Sequence, residues 1–208
     1  MRIAIPKGRL QEKALAVFRA AGYDVPSECD LATRKLVFKR GGIEWIFVKD
    51  CDVPVYVEHG AADAGVAGLD QIVEHDCTAY QPVEFDFGRC RMMLIAAPGA
   101  PPLTKIATKY PRMAQQYLDS RELQAEIVPL GGSVELAAVL QLTTHVVDLV
   151  ETGETVRVHK LELQDTVAEI SPRLIVGKNA YFTKAKEIRE LIARIKEAKH
   201  ATLQSQLS

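Results

Sequence analysis

The sequence has no excess of charge of either sign. Its 208 residues carry 26 Lys and Arg against 27 Asp and Glu, which gives a formal net charge of -1. A protein that coats nucleic acid usually has a clear basic excess, so this balance excludes general nucleic-acid binding. A local cluster of cations that binds a small anion stays compatible with it.

Long hydrophobic runs are also missing. No apolar stretch approaches the roughly 20 residues of a membrane-spanning helix. The N-terminal segment MRIAIPKGRL reaches a proline and two cations too soon for a signal peptide. We therefore expect no membrane span and a cytoplasmic location.

Cysteines are few, and no metal-ligand spacing is present. The four cysteines contain no C-x-x-C pair, and the five histidines are scattered. This argues against a disulfide scaffold or a zinc cluster and favours a reducing compartment. No Ser-His-Asp or Cys-His spacing indicates a nucleophilic triad.

Strand-like and helix-like patterns alternate along the whole chain. The apolar run Arg2–Pro6 precedes a helical stripe that ends at Gly22, and Gly41-Gly42 separates two strand-like runs as in a β-hairpin. Further strands are predicted at 64–67, 91–97, 106–108, 126–130 and 145–150, with helices at 111–118, 134–142 and 179–199. This alternation predicts α/β architecture with mostly parallel sheets.

A Pro/Gly-rich stretch, Pro98–Pro102, marks the start of a second region. We expect residues 1–90 and about 177–208 to form subdomain I and residues 91–176 to form subdomain II. A late strand near Arg173–Val176 is expected to return the chain to the first subdomain.

The most informative segment is HVVDLVETGET, residues 145–155. A buried strand that runs into the turn Thr152-Gly153-Glu154-Thr155 presents backbone N–H groups and hydroxyls to one point, as a phosphate requires. Asp148 and Glu151, just before this turn, are placed to accept hydrogen bonds from ribose hydroxyls. Phosphoribosyltransferases have this arrangement; a plain turn with solvated acids is the alternative.

Cations follow the first predicted strand and precede the hairpin. Lys7 and Arg9 flank a glycine where ligands bind in open α/β sheets, and they suit a pyrophosphate or polyphosphate. A charged helix N-terminus is the alternative, although cations there oppose the helix dipole. Arg34 and Lys35 stand before the hairpin, whereas we interpret the hairpin cations Lys39 and Arg40 as solvated surface.

The turn Gly132-Ser133-Val134-Glu135 leads into a predicted helix. Ser133 suits an N-cap and Glu135 a first turn, so helix capping explains both residues without a functional role. We interpret His145 as a packed histidine and Cys90 as a cysteine packed at a strand start.

Taken together, these segments resemble short-form ATP phosphoribosyltransferase, the first enzyme of histidine biosynthesis. The matching stretches fall in the family's order and cover nearly the whole chain: AIPKGRL at 4–10, TRKL at 33–36, DVPVYVEHGAADAGVAGLD at 52–70, FGRCRMMLIA at 87–96, IATKYP at 106–111, GSVELA at 132–137 and DLVETGET at 148–155.

The resemblance implies a reaction and a fold. N1 of ATP would attack C1 of the ribose of phosphoribosyl pyrophosphate, pyrophosphate would leave with Mg2+, and the product would be N1-(5-phosphoribosyl)-ATP. Such chemistry needs a held leaving group more than a nucleophilic side chain. The implied fold is two α/β subdomains of the periplasmic-binding-protein type II kind, with the active site in the cleft between them.

The resemblance also assigns roles to residues. Arg9, Arg34, Glu135 and Glu151 are implied to be catalytic, and no protein residue is assigned to the metal. The implied substrate-binding residues are Lys7, Lys35, Lys49, Asp148, Thr152, Gly153, Glu154 and Thr155. Asp52 and Pro54 belong to a matching helix and are expected to be structural.

Two departures from the family's pattern affect this assignment. Thr144 stands where the family often has an acid, so any role of that acid is in doubt here. Lys49 stands where Arg is usual, which keeps the charge and loses the planar fork.

Regulation is implied by length. Long forms of the enzyme carry a C-terminal regulatory domain, and this chain has no room for one after its last helix. Short forms instead pair with a regulatory subunit resembling histidyl-tRNA synthetase. We expect a homo-oligomer, a dimer, for the chain alone and a hetero-oligomer with that partner. The stripe Ile188, Leu191, Ile192 and Ile195 would form the interface or, alternatively, pack on its own subdomain.

Two other functions fit parts of the sequence. Two α/β lobes also describe a binding module of the periplasmic type, since fold does not fix function. A phosphoribosyltransferase that acts on a purine base is the second alternative. The cations at residues 7 and 9 and the turn at 152–155 argue against a neutral-ligand binder. The same cations, together with the turn at 132–135, argue against a purine enzyme.

Overall fold

The computed structural model describes residues 1–206, except for the side chains of Glu28 and of residues 200–206. The chain divides into two compact units: unit 1 is Met1–Gly88 together with the chain from Ser171 onward, and unit 2 is Arg89–Ile170. The return to the first unit therefore lies at residue 171, not near 177, because the strand Pro172–Val176 pairs within the sheet of unit 1.

The strands are, in chain order, β1 Arg2–Pro6, β2 Val37–Arg40, β3 Ile43–Val48, β4 Ala64–Gly68, β5 Tyr80–Glu84, β6 Cys90–Ala96, β7 Lys105–Thr108, β8 Glu126–Pro129, β9 His145–Val150, β10 Glu162–Ile170 and β11 Pro172–Val176. The helices are α1 Gln11–Ala20, α2 Glu28–Leu31, α3 Val53–Glu58, α4 Leu69–Glu74, α5 Pro111–Ser120, α6 Glu135–Val139, α7 Glu154–Val158, α8 Lys178–Thr183 and α9 Ala185–Gln206. A 3-10 turn covers Asp50–Asp52.

Unit 1 is built on a six-stranded sheet with the order β2-β3-β1-β4-β11-β5. The strand β1 is parallel to both β3 and β4, whereas β2 and β11 run antiparallel to their neighbours. Strand β3 buries alternate side chains, as a sheet with one face on the core requires. Phe18 of α1 packs edge-on against Trp45 of β3, with ring centroids 5.1 Å apart, in the core of this unit.

Unit 2 is built on a five-stranded sheet with the order β10-β6-β9-β7-β8. Strand β7 is parallel to β8 and β9, whereas β6 runs antiparallel to β9 and β10. The buried apolar side chains of β6 and β9 pack against α6 and α7. Three parallel strands therefore direct their carboxyl ends to the same edge of this sheet.

The α/β class is confirmed, but the expectation of mostly parallel sheets is wrong. Both sheets are mixed, because β11 enters the first sheet from the opposite direction and β6 and β10 run against the parallel strands of the second. Strands β5 and β10 were not predicted from the sequence patterns. Strand β10 pairs only with β6, contains two register shifts and is mostly half-exposed, so it lacks a clear apolar alternation.

The predicted C-terminal helix is two helices. The chain breaks at Lys184, so Phe182 lies on α8 and is 71% exposed, apart from the stripe of α9. Ile188, Leu191 and Ile195 are fully buried in the core of unit 1. Ile192 is partly buried and packs against the same core, so the alternative that this stripe packs on its own subdomain is correct.

No helix within residues 1–206 is both long enough and apolar enough to cross a membrane.

Candidate functional site

The first candidate site lies at the carboxyl edge of the unit 1 sheet, where β1 and β3 end side by side. Pro6 pairs with Val48, and the backbone N–H of Lys7 donates to the carbonyl of Val48 at 2.8 Å. Lys7 and Lys49, the next residues after the two strands, therefore emerge at the same edge. We call this surface the cation edge.

Gly8 and Arg9 turn the chain from β1 into α1. Gly8 has a φ of +94°, a backbone conformation in which glycine carries no steric penalty. The guanidinium of Arg9 donates from Nη1 to the carbonyl oxygen of Gly88 at 3.0 Å. This bond orients one face of the Arg9 fork and leaves its side chain exposed at the cation edge.

Arg34 and Lys35 reach the same edge from the other side. Phe47 of β3 donates its backbone N–H to the carbonyl of Leu36 at 2.8 Å, so the loop before β2 lies beside the carboxyl end of β3. The hydroxyl of Thr33 holds this loop by donating to the carbonyl of Asp30 at 2.7 Å and accepting from the N–H of Lys35 at 3.3 Å. The cation edge thus collects the predicted residues Lys7, Arg9, Arg34, Lys35 and Lys49.

These cations differ from the neighbouring hairpin cations in their partners. Lys39 lies 3.7 Å from Glu44, and Arg40 binds both carboxylate oxygens of Asp30 at 3.0 and 2.8 Å. Within the described part of the chain, Lys7, Arg34 and Lys49 form no ion pair. Exposed cations that pair with no carboxylate are suited to an anionic ligand. Lys39 and Arg40 already have carboxylate partners, which agrees with their interpretation as solvated surface.

A buried acid that the sequence patterns did not single out lies beside this edge. Asp70 follows β4, the other parallel neighbour of β1, and is only 5% exposed. Its carboxylate accepts a hydrogen bond from Nε2 of Gln71 at 2.7 Å, and burial raises its pKa, with the nearby Asp50 adding to the effect. The signal that the sequence offered is an acid two residues after a strand of small, buried residues.

The second candidate site lies at the carboxyl edge of the unit 2 sheet, where β7 and β8 end side by side and β9 continues for three residues beyond its last pair with β7. Thr108 is in register with Val147 and Pro129, and Leu130 donates its N–H to the carbonyl of Thr108 at 2.9 Å. The segments that follow the three strands are therefore neighbours: Lys109, residues 130–135 and residues 151–155. We call this surface the acid edge.

The turn after β9 has the geometry that the sequence indicates. Gly153 has a φ of +75° and is the N-cap of α7, so the backbone turns sharply between the strand and the helix. The N–H of Glu154 donates to the Thr152 hydroxyl at 3.4 Å, and both threonines of the turn are exposed. The Glu154 carboxylate lies 3.7 Å from Arg157, outside the turn.

Asp148 and Glu135 interact electrostatically at this edge. Asp148 is half-buried on β9, and its carboxylate accepts the N–H of Leu149 at 2.8 Å. Burial raises the pKa of Asp148 and the Glu135 carboxylate raises it further, whereas the hydrogen bond from Leu149 and, to a smaller extent, the Lys109 ammonium lower it. Glu135 is the first residue of α6. Glu151 follows β9 and is exposed beside the turn.

The proposed capping role of Ser133 is wrong. The N-cap of α6 is Val134, which makes no side-chain capping bond, and Ser133 has a φ of +48° with its backbone carbonyl bonded to Leu136. The backbone conformation of Ser133 and its hydrogen bond to Leu136 therefore shape the turn. Glu135 contributes a negative charge to the acid edge.

The remaining residues have structural surroundings. His145 is packed with Nδ1 3.0 Å from the Thr144 hydroxyl, and Cys90 is buried at the start of β6. Thr144 donates to the carbonyl of Lys105 at 3.0 Å at the amino end of β9, far along the strand from the acid edge. Pro54 is buried in the first turn of α3, next to Asp52.

Comparison with known proteins finds relatives that match nearly the whole chain. The family model described as HisG, ATP phosphoribosyltransferase, matches residues 49–197. The ATP phosphoribosyltransferase of Sorangium cellulosum is 40% identical over 203 residues, covering 95% of each chain. That of Deinococcus radiodurans is 41% identical over 198 residues, covering 95% of this chain and 90% of the relative.

Solved structures support the same relationship. The ATP phosphoribosyl transferase (HisG:HisZ) complex from Thermotoga maritima matches with a TM-score of 0.83 and 32% identity, covering 97% of this chain and 99% of that one. The periplasmic aliphatic sulphonate binding protein SsuA from Escherichia coli matches with a TM-score of 0.59 and 12% identity, covering 99% and 74%, which shows a shared fold alone. The fold is thus the periplasmic-binding-protein type II fold, and the chain belongs to the ATP phosphoribosyltransferase family.

Proposed function

We propose that this chain transfers the phosphoribosyl group of phosphoribosyl pyrophosphate to N1 of ATP, as the first step of histidine biosynthesis. The N1 lone pair forms the bond to C1 of the ribose, and the electrons of the broken C1–O bond leave with pyrophosphate. The observation that carries this proposal is the acid edge, where a Gly/Thr turn and two carboxylates follow parallel strands of one sheet.

The acid edge is proposed to bind the phosphoribosyl part of the substrate. The turn Thr152–Thr155 offers hydroxyls and the first N–H groups of α7 to the 5-phosphate. Asp148 and Glu151 are proposed to accept hydrogen bonds from the ribose hydroxyls, and Glu135 to stabilise positive charge that develops at C1. Each assignment uses the chemistry that the side chain presents at this edge.

The cation edge is proposed to bind the anionic groups. Arg9 and Arg34 bind ATP phosphates and the leaving pyrophosphate through charge-assisted hydrogen bonds, and Lys7, Lys35 and Lys49 add positive charge. Stabilising a leaving group in this way lowers the barrier without a nucleophilic side chain. The Arg9 fork is already oriented by its bond to Gly88, so less entropy is lost on binding.

Mg2+ is proposed to bind with the pyrophosphate group of the substrate. Among the described residues no group of three or more His, Cys, Asp or Glu side chains could hold a metal ion. Mg2+ commonly keeps water ligands and binds through one or two carboxylates plus substrate phosphates. Glu135 and Asp148 fit that donor set, and the ion would supply charge neutralisation for the leaving group.

Assembly is proposed from the solved relative. The Thermotoga maritima structure is a HisG:HisZ complex. We propose that this chain is likewise a short-form catalytic subunit that forms a dimer alone and a hetero-oligomer with a regulatory subunit resembling histidyl-tRNA synthetase.

The test of the activity is direct. The purified chain is mixed with ATP, phosphoribosyl pyrophosphate and Mg2+, and the N1-adduct is followed by its absorbance, with and without the partner protein. A matched reaction with adenine or guanine in place of ATP tests the purine-base alternative. Adduct formation that requires ATP supports the proposal, whereas binding of phosphoribosyl pyrophosphate without turnover under both conditions contradicts it and favours a binding module.

A further inference from the structure

The loop that carries Arg34 and Lys35 has no buried side chain of its own. It connects α2 to β2, and residues 32–37 are all exposed. The next buried residue is Phe38 of β2, which belongs to the core of unit 1. Because apolar packing does not hold this loop, the positions of its two cations depend on hydrogen bonds and ion pairs.

Asp30, in α2, is the residue on which these bonds converge. Its carboxylate accepts the N–H and the hydroxyl of Ser27, each at 2.9 Å, and its two oxygens accept from Nη2 of Arg40 at 3.0 and 2.8 Å. The bonds from Ser27 and Arg40 lower the pKa of Asp30, so it is a carboxylate at neutral pH. Its backbone carbonyl accepts the hydroxyl and the N–H of Thr33 at 2.7 and 3.2 Å. Asp30 therefore bonds to β2 with its side chain and to the loop with its backbone.

Further bonds hold the backbone on both sides of Arg34. The Thr33 hydroxyl accepts the N–H of Lys35 at 3.3 Å, and the carbonyl of Leu36 accepts the N–H of Phe47 in β3 at 2.8 Å. The loop is thus bonded to Asp30 at its start and to the sheet at its end. Arg34 lies between these two attachments.

Arg40 gives this network an anchor in the sheet. It ends β2, where it is in register with the buried Ile43 of β3. The neighbouring ion pair differs, because Lys39 and Glu44 are already paired across the same hairpin and their contact orders nothing outside it. Exposed ion pairs contribute little to global stability. We therefore expect the bond between Arg40 and Asp30 to affect the loop rather than the fold.

We propose that Asp30 is a positioning residue of the cation edge, which ties the loop at residues 32–36 to β2 through Arg40 and so presents Arg34 and Lys35 to an anionic group of the substrate. The inference rests on the proposed function, in which these two cations bind phosphate groups. Asp30 acts through the loop and not by touching the substrate. A loop that is ordered beforehand loses less conformational entropy when it binds.

The test compares Asp30→Ala and Arg40→Met with the control Glu44→Ala, which breaks the ion pair inside the hairpin and leaves the bonds of the loop in place. Calorimetry measures the affinity for pyrophosphate with Mg2+. We expect Asp30→Ala and Arg40→Met to weaken it roughly threefold to tenfold, as residues coupled in one hydrogen-bond network do. Glu44→Ala leaves it unchanged, and Arg40→Lys, which can keep the ion pair, loses less than Arg40→Met.

A double-mutant cycle separates positioning from a general defect. The variant Arg34→Ala/Lys35→Ala lacks the cations that Asp30 is proposed to position, so adding Asp30→Ala to it should weaken binding by less than about twofold further. An undiminished further loss overturns the proposal, because Asp30 would then support the fold and not these cations. Urea denaturation checks the stability of each variant. If Asp30→Ala lowers the midpoint, Arg40→Met replaces it in the cycle.

The outcomes distinguish this inference from the proposed function. Unchanged affinity in Asp30→Ala and Arg40→Met, with weaker binding in Arg34→Ala/Lys35→Ala, overturns the inference and leaves the proposed function standing. Unchanged affinity in Arg34→Ala/Lys35→Ala overturns the assignment of these cations and the inference with it. If the unmodified chain binds pyrophosphate but forms no adduct, the proposed function fails and the affinities alone decide the role of Asp30. If the unmodified chain does not bind pyrophosphate, the inference fails.

Discussion

Two aspartates of unit 2, Asp148 and Asp165, show how the surroundings of a carboxyl group distinguish a candidate site residue from a structural one. Asp165 is held ionised by the hydroxyl of Tyr117, the N–H of Thr166 and the guanidinium of Arg121, which together lower its pKa. Asp148 has one backbone donor, and burial raises its pKa. Asp165 therefore has its partners within the fold, whereas Asp148 has acceptor capacity left for a ligand.

At the turn after β9, we expect Thr152→Val to raise the KM for phosphoribosyl pyrophosphate about tenfold. The substitution keeps the branched shape and removes the hydroxyl, which both serves the phosphate and accepts the N–H of Glu154. Steady-state kinetics with varied phosphoribosyl pyrophosphate measure the effect. Thr104→Val, an exposed threonine before β7, is the control. Equal kinetics for the two variants would contradict the assignment of the phosphate turn.

At the cation edge, we expect Arg34→Ala to lower kcat/KM roughly tenfold to a hundredfold, since a hydrogen bond to a charged group contributes about 1.5–3 kcal/mol. Lys39→Ala is the matched control, because Lys39 is a nearby exposed cation that already pairs with Glu44. A loss of less than about threefold in Arg34→Ala, or an equal loss in the control, would count against a role in anion binding.

At the scale of elements, both candidate sites have the same construction. Each candidate site is centred on a strand that is parallel to both of its neighbours. This strand is β1, between β3 and β4, in unit 1, and β7, between β8 and β9, in unit 2. Parallel neighbours bring the segments after the strands to one edge of the sheet, where polar side chains can converge. The antiparallel strands β2, β5, β6, β10 and β11 complete the sheets on either side.

Helix α9 stabilises unit 1, and this gives a prediction about stability. Leu191 is fully buried, so we expect Leu191→Ala to lower the free energy of unfolding by about 2–5 kcal/mol, as large-to-small core substitutions do. Phe182→Ala, on the exposed face of α8, is expected to change it by about 0.5 kcal/mol or less. Urea denaturation followed by circular dichroism measures both. Similar values for the two variants would show that α9 does not belong to this core.

At the scale of the whole molecule, function depends on where charge is placed rather than on how much there is. The formal net charge is -1, yet five cations gather at the cation edge of unit 1 and three acids at the acid edge of unit 2. A near-neutral chain with such local clusters is suited to small charged substrates and gives no general attraction to polyanions. Clustered charge also makes substrate affinity sensitive to ionic strength.

Feedback regulation is the prediction that concerns the whole molecule. We expect histidine to leave turnover of the isolated chain unchanged and to inhibit it once the HisZ-type subunit is added, because coupling needs a second site with different affinities for two states. The assay titrates histidine into each preparation, while sedimentation reports the oligomer. Strong inhibition of the isolated chain at low histidine, or a clean monomer at assay concentration, would contradict this expectation.

Much of the fold follows from local sequence patterns. The apolar run at residues 2–6, the Gly41-Gly42 hairpin and the strand His145–Val150 are all observed where the pattern predicts them, because short-range alternation and turn residues determine them. The motif after β9 and the cations after β1 were likewise visible in sequence, since each depends on a strand and the few residues that follow it.

Only the tertiary structure decided the rest. The directions of β6, β10 and β11, and the return of the chain at residue 171, depend on pairing between segments far apart in sequence. The same is true of the sites: Asp70 gains its significance from burial, which a local pattern does not contain. The sequence by itself determined which residues can bind phosphate and ribose, and strand pairing determined which of them meet, because contact is a long-range property of the chain.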